Sequence, residues 1–334
     1  MKEEGEIMKV KKDFSKAFSP LYVLISGSVG MFIIFTLFYY KFPDASDEIG
    51  MAFVSRPEFA IWVFMHAILA CVVTITFLPL WGILIGFVRD QMKTETASIN
   101  RKTIFNLVLQ GIVLTTFIVS ILGFLTIISY KYFDQSLYIP KNFYDRVLFI
   151  LSFPTLSSLP ALLGIMSIHT AVGKVSQKID TPEHAKEELF SLQGELQHYR
   201  FLLQGYLLFL GVILSMAAIT GVGYRAIFVG LGAKEIEYFP VTHAMGFGLI
   251  FTILLLLVYL PVHFALTETS RKLRDRICPI TSIETLQEVM AKRKYLDEML
   301  QTNVDIMSNF KSGFMTLAPF LSSILASFLG DISL

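Results

Sequence analysis

Six stretches of this chain contain no Asp, Glu, Lys or Arg: residues 17–40, 59–88, 104–130, 147–173, 201–224 and 241–267. Each holds at least the roughly 20 residues that a helix rising 1.5 Å per residue needs to cross the hydrocarbon core. Backbone in lipid must satisfy its own hydrogen bonds, so helices are the expected form of all six. Only 16% of the 334 residues are charged, against roughly 25% in an average soluble domain. The sequence therefore predicts an all-α integral membrane protein with six transmembrane helices and the lipid bilayer as its first partner.

Charge sets the expected orientation. With the N-terminus cytoplasmic, the inner segments 1–19, 89–103, 174–200 and 268–334 hold 21 Lys and Arg, and the outer loops hold seven. That bias predicts N-in and C-in by the positive-inside rule, with a bacterial inner (plasma) membrane as the expected setting. The first apolar run is longer than a signal-peptide core and is expected to stay as a span. Cys71 lies within a span and Cys278 beyond the sixth, so no disulfide framework is expected.

Prolines recur in a pattern: Pro57 with Pro79, Pro140 with Pro160, and Pro240 with Pro261. The second member always follows Leu. Gln110-Gly111 and Gln204-Gly205 sit at matching places in the third and fifth stretches, with Ser26-Gly27 as a weaker counterpart in the first. Tyr40-Lys41, Tyr130-Lys131 and Tyr224-Arg225 mark the far ends. Marks recurring in one order point to three tandem two-helix hairpins, 20–88, 104–173 and 201–267. Pro79, Pro160 and Pro261 become expected hinges, because a helical proline removes a backbone hydrogen bond and commonly kinks the helix.

A basic lead, 1–19, precedes this membrane domain of residues 20–278. The even-numbered helices are expected to run past their second proline into the cytoplasm, placing Arg89, Lys174 and Arg271 in a basic ring. The linkers 94–103 and 180–199 are expected to be polar connections. Residues 279–334 form the third region. Pro279 ends the sixth helix there, and Thr281-Ser282-Ile283-Glu284 matches a capping box. A three-four spacing that includes Leu286, Leu296, Leu300 and Met307 predicts a cytoplasmic amphipathic helix with a coiled-coil-like seam. That seam is the expected contact for a homo-oligomer or partner protein. The tail 312–334 is apolar and is expected to pack on another helix or lie in the interface, with a seventh span as the alternative.

No Gly-x-Ser-x-Gly, His-Glu-x-x-His or Cys-x-x-Cys occurs, so no enzyme, metal or cofactor is expected, and nothing points to nucleic acid. No carboxylate lies within a span, which argues against proton or sodium coupling. Ser157, Ser158, Gln110, Gln204 and His66 are candidates to line a passive path; each is alternatively an interhelical hydrogen-bonding group. His169 and His263, at similar depth, are a weaker candidate pair.

Three hairpins of like orientation resemble mitochondrial carriers in architecture. That family's Pro-x-Asp/Glu-x-x-Lys/Arg signature on odd-numbered helices is absent, so the resemblance carries over no residue. Two functions follow as expectations. One is a channel or facilitator with a central path between three hairpins. The other is a non-conducting scaffold or signalling subunit that recruits a partner through its C-terminal helix.

Overall fold

A computed structural model describes residues 19–39, 48–93, 143–181, 186–230, 241–280, 286–300, 302 and 316–326, with Leu109, Val113 and Thr116 isolated between them. The third charge-free stretch, and with it Gln110, lies outside the described residues, as does Met307. The described residues form helices and no strand. In chain order these are α1 (Pro20–Tyr39), α2 (Glu48–Val54), α3 (Pro57–Lys93), α4 (Phe143–Asp180), α5 (Lys186–Gly230), α6 (Val241–Ile277), α7 (Leu286–Met299) and α8 (Thr316–Ala326). Five of them (α1, α3, α4, α5 and α6) are long and apolar enough to cross a membrane. They mark the chain as an integral membrane protein.

Length follows from sequence at several ends. Pro20 and Pro57 occupy first helical turns, where a missing amide hydrogen costs nothing. The 37 residues of α3 rise about 55 Å, well beyond a bilayer core of about 30 Å, so its last turns leave the apolar zone through Arg89 and Lys93. The ends of α4 and α6 extend likewise to Asp180 and Ile277, as the spacing of their basic residues predicts. One expectation fails, and one outer loop holds a helix. The linker 180–199 is not one polar connection, because α5 begins at Lys186 and buries Leu189, Leu192 and Leu196. The outer loop 41–58 contains α2, whose Phe53 is fully buried.

Packing directions can be read from partners. Along α1, Tyr22 meets Thr74, Gly30 meets Ala70, and Phe38 meets Phe59 and Trp62. Rising numbers face falling ones, so α1 and α3 are antiparallel. Close approach here requires glycine: a Cβ on Gly30 would lie 2.6 Å from the Ala70 carbonyl oxygen. Helix α5 runs against α3, with Trp62 beside Thr220 and Gln91 beside Tyr199. It also runs against α4, pairing Phe143 with Tyr224 and Gly164 with Tyr206. Helix α4 runs with α3, since a shallow apolar crevice sets Leu69, Ala70 and Thr74 opposite Ile150, Phe153 and Pro154. Helix α6 runs with α4, where Lys272 lies 3.6 Å from Asp180 and Arg276 donates to the Thr181 carbonyl.

The mutually packed helices α3, α4 and α5 form the centre, with α1 against α3 and α6 against α4 and α5. One continuous apolar core joins α3, α4, α5 and α6, from Leu69, Ile165 and Leu210 to Leu255 and Leu273. At the end far from the basic residues lies a second core. There Phe38, Phe53, Phe59, Trp62 and Phe143 stack edge to face and tilted around one another. Such aromatic pairs contribute about 0.5–1.5 kcal/mol each beyond area burial.

Candidate functional site

Of the residues proposed to line a path, His66 and Ser158 bond carbonyls of their own helices, and Gln110 lies outside the described residues. His66 is 3% exposed; its Nδ1 is 3.0 Å from the Trp62 carbonyl oxygen one turn earlier, and its ring lies against the Trp62 indole. Ser158 is buried and donates to the Pro154 carbonyl at 2.7 Å, taking up an acceptor near two prolines of α4. Ser157 is buried beside it, and Gln204 is half-buried on α5. His169 is exposed, whereas His263 pairs with the hydroxyl of Tyr259 at 3.0 Å. The expected His169–His263 pair is therefore replaced by a local pair on one helix.

All three expected hinge prolines fall inside continuous helices. Their surroundings differ: Pro79 and Pro160 are buried, and Pro261 is exposed. Equivalent positions in sequence therefore occupy unequal sites.

Polar chemistry concentrates instead at the basic end. Gln91 of α3 donates to the Tyr199 hydroxyl of α5 at 2.8 Å, and Arg200 donates to the Ser270 hydroxyl of α6 at 3.2 Å. Beyond them, Arg274 binds Asp297 of α7 at 2.8 Å and Asp275 at 2.8 Å. Arg293 closes the group, 3.1 Å from Asp275 and donating to the Cys278 carbonyl. Thr302 donates to Asp297 from the chain just after α7. Leu296 and Leu300, two positions of the expected seam, are buried, Leu300 in the main core. The Leu286 backbone opens α7.

Arg89 and Arg271 are exposed and Lys174 is half-buried at this same end. Asp90, Asp180 and Asp275 are also exposed there. Among the described residues, no group of three His, Cys, Asp or Glu is arranged to hold a metal ion.

Sequence reading missed Asp297, Arg200, Trp62 and Tyr206. Asp297 was legible in principle, as an acidic residue next to a seam position, Leu296. Tyr224, which the sequence marks only as a helix-end residue, stacks at 8° on Phe143 against the aromatic core.

No protein family matches this sequence, and neither a characterised protein nor a solved structure is similar enough to match.

Proposed function

We propose that the chain is a six-span or larger, non-conducting membrane scaffold or signalling subunit. The carrying observation is the interior. Among the described residues, apolar side chains of four helices pack together where a central path was expected, and Ser158 and His66 bond carbonyls one turn earlier in their own helices. Interiors packed in this way leave few voids even of water size.

The span count follows from direction. The parallel direction of α3 and α4 supports a further crossing between them, for which the charge-free stretch 104–130 is the proposed segment. Three antiparallel units then follow one another, with the basic end in the cytoplasm. A partner protein or second copy would dock on the outward face of α7, where Glu288, Lys292, Lys294 and Tyr295 are exposed. The face carrying Leu296 and Leu300 is already occupied by this chain. No catalytic role belongs to this reading.

A closed channel is the second reading, favoured by one observation: α3, α4 and α6 share a direction, measure 37, 38 and 37 residues, and each carries an internal proline. Purified protein in liposomes separates the two. A scaffold passes no ions or small solutes across applied voltage, pH steps and osmotic shock. Reproducible flux absent from protein-free liposomes would sink the scaffold reading.

A further inference from the structure

The C-terminal segment touches α6 at two depths. At the basic end, Asp297 binds Arg274 and Arg293 binds the Cys278 carbonyl. Near the start of α6, the Phe320 amide donates to the Thr252 hydroxyl at 3.2 Å, and Gly248 faces Pro319 and Ser323. The glycine makes this second contact possible: a Cβ there would lie 2.7 Å from the Pro319 carbonyl oxygen. Thr316 and Ser323 are buried, Ser323 completely.

These anchors are far apart. From Thr252 to Arg274, α6 advances 22 residues, about 33 Å at 1.5 Å per residue, and 15 of them, Thr252 to Thr267, lie in the charge-free stretch, so Phe320 stands about 22 Å into the apolar zone from its basic end. From Asp297 to Phe320 the tail advances 23 residues. Its direction is opposite: Phe320 meets Thr252 and the later Ser323 meets the earlier Gly248, so α8 runs against α6. A tail lying in the cytoplasmic interface has no way to reach Gly248.

We infer that the chain crosses the membrane once more after α7, as a strap fastened to α6 on both sides of Pro261, delivering the residues beyond Ala326 to the side opposite α7. This replaces the C-in expectation with C-out, and it rests on reading α6 as a span whose basic end is cytoplasmic. Small residues suit the task. Gly248 on α6 and Ala318, Ser322 and Ser323 on α8 let two helices approach closely where lipid supplies no hydrophobic drive.

The test is single-cysteine labelling of the full-length protein in intact cells with a membrane-impermeant maleimide, in a Cys71→Ala, Cys278→Ala background. Ser55→Cys reports the turn before α3, and Lys294→Cys reports α7. The expected result is that Ser333→Cys labels from outside as fully as Ser55→Cys, while Lys294→Cys labels only after permeabilisation. Gly330→Cys repeats the reading should Ser333→Cys accumulate poorly. Labelling of Ser333→Cys and Gly330→Cys with Lys294→Cys, opposite to Ser55→Cys, overturns the extra crossing and leaves α6 as a span. Labelling of Ser55→Cys and Lys294→Cys from one side overturns it differently, by removing the membrane reading of the bundle itself.

Discussion

Arg274 and Asp297 stand 2.8 Å apart, with side chains only 19% and 11% exposed, and this pair fastens α7 beneath α6. Twenty-three residues separate them in sequence. The contact turns what reads as a free cytoplasmic helix into part of the membrane bundle.

Asp297→Ala removes that fastening and the acceptor used by Thr302. Charge-assisted bonds of this kind contribute about 1.5–3 kcal/mol, so amide exchange across α7 rises at least about tenfold. Combined with Arg274→Ala, the losses are less than additive. Additive losses, or unchanged exchange, would show that the pair does not hold α7.

Gly30→Ala pushes a methyl group into the Ala70 carbonyl, and overpacking of this kind costs about 1–3 kcal/mol. Gly173→Ala, at an exposed position of α4 where a Cβ meets nothing among the described residues, gains about 0.5–1 kcal/mol from reduced backbone entropy. Thermal melts in detergent compare the two. Equal shifts would mean that α1 and α3 are not in this close contact.

Tyr206 fills the space over Gly164, and its hydroxyl is buried with no hydrogen-bond partner among the described residues. Tyr206→Phe is therefore neutral or stabilising by up to about 1 kcal/mol, since an unsatisfied buried hydroxyl carries a desolvation penalty. Gly164→Ala overlaps the Tyr206 ring, and Tyr206→Leu in the same chain recovers part of that loss. A clear loss in Tyr206→Phe would reveal a partner for the hydroxyl.

Proline substitutions separate by burial rather than by repeat position. Pro261→Ala is neutral or stabilising by about 1 kcal/mol, because it restores a helical amide at an exposed site. Pro160→Ala, in the packed centre, loses about 1–2 kcal/mol through the space it opens. Matching shifts at Pro79, Pro160 and Pro261 would instead support equivalent hinges.

Most of the helical architecture was written in charge. The absence of ionisable residues over 59–88, 147–173, 201–224 and 241–267 located α3 to α6, and the trailing basic residues of α3, α4 and α6 located their extensions. What stayed hidden was which helix faces which. A run such as Phe38, Phe53, Phe59 and Trp62 is apolar in any membrane segment, whether it meets lipid or protein. Leu296 and Leu300 showed that α7 has an apolar face but not whose surface covers it. The prolines had the reverse difficulty: their spacing is regular, while burial depends on neighbours that the spacing does not encode. The hydroxyls of α4 looked like pore chemistry because sequence does not distinguish a serine facing water from one bonding a carbonyl of its own preceding turn.

Trp62 is one of two tryptophans in the chain, buried against His66, while Trp81 is only half-buried. The aromatic core thus carries its own optical reporter. Emission from Trp62, isolated by Trp81→Phe, responds to wetting or protonation near His66, so rearrangement at that end of the bundle is visible in unlabelled protein.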